Sequence, residues 1–150
     1  MITYPELSLY NHQEVVSIQV SRLANQKQAI VECLSWIPSG PGDPLLFSFS
    51  EVEVSFLDDD EIAAQHDQFL DDPTATDVIT FLHGELLISA ETAQREAAER
   101  KTPLERELML YLIHGLLHLH GYLDGTETDR TVMTRVQEGL LEDIWPLFGE

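Results

Sequence analysis

Three histidines lie close together in an otherwise apolar stretch of the sequence, LIHGLLHLHGYLDG, which spans residues 112–125. His114 and His118 are four residues apart, so on a helix they face within roughly 40° of each other, one turn apart. Two imidazoles in this relation can bind one metal ion. His120 lies about 200° around the helix from His118 and is expected to form a hydrogen bond elsewhere or to be partly exposed.

A glycine and an acidic residue follow the histidines. Gly121 predicts the end of the helix, because glycine adopts the left-handed backbone conformation readily. The chain can then turn back and bring Asp124 towards the ion bound by His114 and His118. Two neutral imidazoles and a carboxylate leave a fourth tetrahedral position for water, as in a catalytic zinc site. For the HxxxH spacing taken alone, two histidines that simply contact polar neighbours remain an open alternative.

The spacing of the two histidines also resembles the H-E-x-x-H motif of zinc proteases, in which the glutamate is the general base. Gly115 occupies the position of that glutamate. A protease of this class would therefore lack its base. A metal ion here could polarise a carbonyl or a phosphoryl oxygen, so the spacing predicts a hydrolytic metal site without distinguishing RNA from a peptide or an ester.

The surrounding sequence predicts an α+β fold, with one domain over residues 1–150, a small mixed sheet packed by helices, and a helical last third that carries the histidines. Strands are predicted in EVEVSFL, in DVITF and in ELLIS, and the runs LSLY and VVSIQV within residues 6–20 are predicted to be strand or a strand-like entry into the domain. The helices are predicted over residues 21–36, in DDDEIAAQHDQFL, in AETAQREAAER, in ERELMLYLIHGLLHLH after Thr102-Pro103, and in ETDRTVMTRVQEGLLEDIW. PSGPGDP ends the first helix.

Charge and composition restrict the function. The chain has 150 residues, with 8 Lys and Arg against 27 Asp and Glu, a net charge of −19. This charge argues against attraction of the whole protein to nucleic acid or to anionic membranes. Six of the basic residues fall between residues 95 and 135, where they form either a local basic surface or pairs with neighbouring glutamates. A single cysteine and the lack of a long apolar run predict a cytoplasmic protein.

The segment HGLLHLHGYLD resembles the signature of the YbeY family, bacterial endoribonucleases of ribosomal RNA maturation, written H-G-x-L-H-L-x-G-Y-D-H with three zinc-binding histidines. A second segment, TDVITF followed by GELLIS, is similar to the family's TDVLSF and GDIVIS strands. The resemblance implies a zinc-dependent endoribonuclease, specific for single-stranded RNA, that processes small-subunit ribosomal RNA. It also implies one Zn²⁺ per chain and, as partners, ribosomal RNA and the small ribosomal subunit.

The sequence departs from the family pattern at the third histidine. Asp124 stands at that position and Leu123 at the preceding aspartate. Either Asp124 is the third metal ligand, which we favour, or it is the displaced aspartate and the site has no third protein ligand. A further departure is Leu70, where many members of the family carry an arginine thought to contact RNA.

Two other carboxylates are candidate catalytic residues. Asp77 precedes VITF and Glu85 begins the next strand, and either could orient a water molecule or accept its proton if it faces the cleft. Turn capping for Asp77 and a solvent-facing strand position for Glu85 are equally open. His66 and His83 are predicted to be surface or core histidines. Two alternative functions also remain: hydrolysis of a substrate other than RNA, and a non-catalytic role on the ribosome in which the metal braces the helix end.

Overall fold

A computed structural model of the protein describes residues 3–149. The strands are β1 (Glu6–Asn11), β2 (Glu51–Leu57), β3 (Val78–Phe81) and β4 (Glu85–Ser89). The α-helices are α1 (Val20–Ala24), α2 (Lys27–Ser35), α3 (Asp59–Leu70), α4 (Ala90–Arg100), α5 (Leu104–Leu119) and α6 (Glu127–Ile144), and Leu46–Ser48 and Trp145–Gly149 are short 3-10 helices. This mixed arrangement confirms the predicted α+β fold class.

The four strands form one mixed sheet in the order β1-β2-β4-β3. β1 and β2 pair in parallel, as do β2 and β4, whereas β3 and β4 are antiparallel. Because side chains alternate along a strand, Leu86 and Ile88 of β4 lie in the main core with α5, while Leu87 packs with Ile62 of α3 on the other face. The sheet therefore separates two layers.

Helix α5 is the central element of the main core, and most of its residues are buried. Gly115 allows α5 to approach β4 closely, since a Cβ atom at this position would lie only 2.8 Å from Cδ2 of Leu86. Close packing against β4 thus fixes the helix that carries His114 and His118.

No helix within the described residues is long and apolar enough to cross a membrane.

Side-chain caps define the starts of three helices. Asp58, Ser89 and Thr126 each accept a hydrogen bond from a backbone N–H group in the first turn of α3, α4 and α6, respectively. Such caps satisfy donors that have no partner within the helix. They explain why these helices begin close to the predicted positions.

Asp59 links α3 to α4. Its carboxylate accepts hydrogen bonds from Ser89 Oγ (2.7 Å), Thr92 Oγ1 (2.8 Å) and Arg95 Nη1 (2.5 Å). Burial opposes ionisation of Asp59, but the hydrogen bonds from Arg95, Ser89 and Thr92 outweigh it and hold the pKa of Asp59 below its usual range. A charged carboxylate therefore joins the two helices.

Two predictions for the first third of the chain are wrong. Residues 15–19 of VVSIQV form no strand, because the Gln13 side chain binds both the N–H and the C=O group of Val16 and so satisfies them within a loop. The single helix predicted over residues 21–36 is broken between α1 and α2. At this break Gln26 is buried and donates a hydrogen bond to the carbonyl oxygen of Leu147 (2.9 Å).

Candidate metal centre

The C-terminal end of α5 brings two imidazole rings together. The ring centroids of His114 and His118 are 4.7 Å apart and the planes are nearly perpendicular, at 85°. Their Nε2 atoms are 3.1 Å apart. Both side chains are only partly exposed. Their Nε2 atoms therefore face each other at the edge of the core.

A tight turn after α5 reverses the chain. Gly121 has a positive φ of 94°, and the N–H group of Tyr122 donates to the carbonyl oxygen of Leu117 (2.9 Å). This pattern ends a helix and requires a residue that tolerates the left-handed conformation. The glycine predicted to stop the helix therefore does so.

The loop before the 3-10 helix Leu46–Ser48 packs directly on this turn. The Gly42 N–H group donates to the carbonyl oxygen of Gly121 (2.7 Å), and a Cβ atom at Gly40 would lie 2.5 Å from the same oxygen. The Tyr122 hydroxyl donates to the carbonyl oxygen of Pro38 (2.8 Å). The PSGPG segment thus does more than end a helix, because it holds the turn beside the two histidines.

Asp124 completes the cluster. Its Oδ2 atom lies 3.1 Å from His118 Nε2 and 3.7 Å from His114 Nε2. The three potential ligand atoms lie within 4.8 Å of one another. The structure therefore brings together the three side chains that the sequence predicted as metal ligands.

The opposite nitrogen of each ring is held by a hydrogen-bond acceptor. His114 Nδ1 donates to Gln137 Oε1 on α6 (2.8 Å), and His118 Nδ1 donates to the carbonyl oxygen of Tyr122 (3.0 Å). With the proton on Nδ1, each Nε2 atom presents a lone pair. The sequence did not single out Gln137, since only folding brings α6 beside α5.

This set of atoms suits a divalent cation. Two Nε2 lone pairs and a carboxylate oxygen converge with no donor hydrogen between them when both rings are neutral. A cation among them would relieve this mutual repulsion, and imidazole nitrogen with carboxylate oxygen is a typical ligand set for zinc. His114, His118 and Asp124 are thus the residues that could hold a metal ion.

The cluster opens into a cleft of about 370 Å³. Asp77 lines this cleft, although its Oδ1 atom also accepts a hydrogen bond from the Val78 N–H group (2.7 Å). His66 lines it too, and its Nδ1 atom donates to the carbonyl oxygen of Thr74 (2.9 Å). No sequence pattern placed His66 at the site, because it lies 48 positions before His114 on a different helix.

Glu85 does not face this cleft. Its Oε1 atom accepts a hydrogen bond from His83 Nε2 (3.0 Å), and both side chains line a separate pocket together with Phe69. The reason is strand alternation: Leu86 points towards α5, so Glu85 points to the other face of β4. The expectation that Glu85 is catalytic is therefore not met by its position.

His120 also lies apart from the cluster. It is buried, its Nε2 atom donates to the carbonyl oxygen of Ile37 (2.8 Å), and its ring meets Phe47 edge-on at 5.4 Å. The hydrogen bond agrees with the prediction from helical spacing, but the site of that bond could not be read from the sequence. His120 connects the end of α5 to the loop after α2.

The basic residues near the site are partly paired. Arg95 binds Asp59, and Arg100 lies 3.0 Å from Glu107 and 3.6 Å from Glu96. Two of the six basic residues between 95 and 135 thus follow the pairing alternative, and both also line a cavity that includes His114. Among residues 3–149, no lysine or arginine lines the cleft at the three candidate ligands, and Leu70 is one of its lining residues.

Comparison with known proteins gives a consistent result. Residues 8–145 match the family model described as Endoribonuclease YbeY. The chain is 34% identical over 102 residues to Endoribonuclease YbeY of Flavobacterium psychrophilum, covering 63% of this chain and 73% of that protein. It is 29% identical over 147 residues to Endoribonuclease YbeY of Chlamydia trachomatis serovar D, covering 89% and 84%.

A solved structure has a similar fold. The solution structure of TM1509 from Thermotoga maritima matches with a TM-score of 0.67 and 25% sequence identity. The match covers 95% of this chain and 91% of that one. Nearly all elements described above are therefore shared with a protein of known structure.

Proposed function

Because the chain belongs to the Endoribonuclease YbeY family, we propose that it is a metal-dependent endoribonuclease that cleaves single-stranded RNA during maturation of small-subunit ribosomal RNA. The observation that carries this proposal is the convergence of His114, His118 and Asp124 within 4.8 Å at the floor of an open cleft. Ribosomal RNA and the small ribosomal subunit are the proposed partners, and the cytoplasm is the proposed location. One domain over residues 1–150 would perform this activity.

Zinc is the proposed metal, with one Zn²⁺ per chain held by the two imidazoles and the aspartate. When bound, such an ion acts as a Lewis acid, polarising phosphoryl oxygens and making water more acidic. Asp124 contributes a negative charge where the family signature has a neutral histidine. This charge should make the centre a somewhat weaker Lewis acid than one with three histidines.

Other residues of this chain would orient the metal ligands and accept a proton. Gln137 and the Tyr122 carbonyl group fix the tautomer and the direction of His114 and His118. Asp77 is the proposed proton acceptor, since its carboxylate lines the same cleft and could hold a water molecule or take a proton from it. Glu85 has no proposed part in the chemistry, because it lines a different pocket.

The proposal is tested by cleavage of a fluorescently labelled single-stranded RNA and of the matching duplex, with zinc-loaded protein. We expect cleavage of the single strand, its loss in the His118→Ala variant, and retention in His83→Ala, which removes an exposed histidine outside the cleft. Equal cleavage by wild type and His118→Ala would contradict the proposal. Zinc binding without cleavage of either RNA would instead favour a different substrate or a non-catalytic role on the ribosome.

A further inference from the structure

Three exposed leucines line the cleft of the candidate metal centre. Leu70, Leu82 and Leu123, here called the rim leucines, all line the cleft and have exposed fractions of 55%, 62% and 44%. They come from three separate elements: the end of α3, the turn between β3 and β4, and the segment after α5. Large hydrophobic side chains exposed together beside a cleft mark a binding surface.

The charges in the cleft do not suit a phosphate backbone. Asp77 and Asp124 are its charged lining residues, and no lysine or arginine lines it among the described residues. The nearby Arg130 donates to the backbone carbonyl oxygen of Asp124 (3.2 Å) but lines a different depression on α6. The net charge of −19 opposes binding to phosphates. Arg95 and Arg100 line a neighbouring cavity together with His114, but each is paired with a carboxylate of this chain.

We propose that the rim leucines form a subsite for an unstacked nucleobase next to the scissile phosphate, so that apolar contact with bases replaces cationic contact with phosphates. This inference rests on the proposed function, because it names how the RNA substrate is held. Base faces are apolar and are bound in single strands through stacking and apolar contact, largely independently of sequence. The cleft volume of about 370 Å³ falls within the roughly 300–1,000 Å³ of typical small-ligand pockets.

The rim leucines also predict that the protein prefers single-stranded RNA to duplex RNA. A base in a duplex is stacked and paired, so its face is hidden and cannot reach a cleft bounded by leucines. An unpaired base can turn into the cleft at a much smaller cost. Binding through the rim leucines would therefore select unpaired segments without reading their sequence.

The first test is fluorescence anisotropy of zinc-loaded protein with a cleavage-resistant 2′-O-methyl oligoadenylate of ten nucleotides. Each phosphate neutralised on a single strand adds about −0.7 to the slope of log K against log salt concentration. The proposal predicts a slope shallower than about −1.5, which corresponds to two phosphate contacts or fewer. A steeper slope would overturn it.

In the same assay, variants distinguish binding through the bases from binding through the phosphates. Leu70→Ser/Leu82→Ser should weaken binding between about fivefold and a hundredfold, and three central abasic residues in the oligonucleotide should weaken binding to the wild type similarly. Val15→Ser, which removes an exposed apolar residue far from the cleft in sequence, is the matched control and should bind as the wild type does. Leu70→Arg should steepen the salt slope by about 0.7.

The outcomes distinguish this proposal from the proposed function. Unchanged affinity in the double serine variant, with normal cleavage by the wild type, would overturn the base subsite and leave the endoribonuclease intact. Base-dependent binding without cleavage would support the subsite and overturn the catalytic proposal. Circular dichroism melts of each variant would show that the fold is retained.

Discussion

Both ends of α5 carry polar side chains, but their burial and their partners differ. Near the N-terminal end, Glu107 is fully buried and its Oε1 atom accepts a hydrogen bond from Arg100 of α4 at 3.0 Å. At the C-terminal end, His114 and His118 direct their Nε2 atoms at each other and at Asp124. One end contains a charge with its counter-charge, and the other contains three converging acceptors.

This difference distinguishes a group with a structural role from a candidate functional group. The Glu107 carboxylate is paired with a cation from the same chain, and this ion pair joins α5 to α4. Beside it, burial and then the Glu107 charge raise the pKa of Tyr111, so its phenol stays protonated. The three atoms at the other end have no lysine or arginine of the described residues beside them in the cleft and could hold a metal cation. Burial of a polar side chain is therefore a weak sign of function until its partners are counted.

The largest expected effect follows from removing the most central ligand. The His118 Nε2 atom lies 3.1 Å from both other ligand atoms, so His118→Ala should reduce zinc affinity more than the roughly 10- to 100-fold typical of residues that only support a ligand. Titration calorimetry with a competing chelator measures this affinity. His120→Asn is a useful comparison, since His120 lies on the same segment but contacts Ile37 and should preserve zinc binding. Equal zinc affinity of wild type and His118→Ala would place the metal elsewhere.

The other end of α5 should respond in stability instead. Arg100→Met leaves the buried Glu107 charge without its cation and should lower the free energy of unfolding by about 3 kcal/mol. Adding Glu107→Leu should restore most of this loss, because the uncompensated charge is removed. Urea denaturation of Arg100→Met, of Glu107→Leu and of the double variant gives the three unfolding free energies of a double-mutant cycle. Additive effects in the double variant would show that the pair is not coupled.

A smaller effect is expected from the residue that orients a ligand. Gln137→Leu removes the acceptor for His114 Nδ1 and should weaken zinc binding by about 10- to 100-fold, with less effect than loss of His118 itself. Gln28→Leu on α2, an exposed glutamine outside the cleft, serves as the control. Zinc affinity in Gln137→Leu that matches the control would show that α6 does not support the centre.

The smallest effect concerns a carboxylate remote from the cleft. The pKa of Asp59 is below its usual range in the folded protein, so its ionised form stabilises the fold above the unfolded-state pKa of about 3.9. Asp59→Asn should cost about 1–2 kcal/mol at pH 7, and its difference from wild type should shrink as pH falls through the folded-state pKa. Urea unfolding at several pH values measures both. A difference that persists unchanged at pH 3 would contradict this origin.

Local patterns predicted most of the fold and the three candidate ligands. Their spacing places His114 and His118 on one helix face. Gly121 and Asp124 lie in the same short segment, so the chain reversal after the helix could be predicted from local sequence. The resemblance to the YbeY signature supplied the expected chemistry and, through its missing histidine, drew attention to Asp124. The caps at Asp58 and Thr126 are likewise local.

The remaining features depend on contacts between distant segments. Gln137 reaches His114 only after α6 packs on α5, and His66 reaches the cleft only when α3 packs on the sheet. The face of Glu85 was left open by the sequence, because it depends on Leu86 meeting α5. The break after α1 likewise depends on Gln26 binding the backbone of the C-terminal segment. Tertiary packing decided each of these cases.

The central claim is that His114, His118 and Asp124 together hold one divalent cation. Elemental analysis of tag-free protein, comparing wild type with Asp124→Ala and Asp124→His, tests it most directly. We predict about one zinc per chain in the wild type, loss or strong weakening in Asp124→Ala, and retention in Asp124→His, because histidine restores a neutral ligand. Absence of metal from the wild type, or equal zinc content in wild type and Asp124→Ala, would contradict the claim.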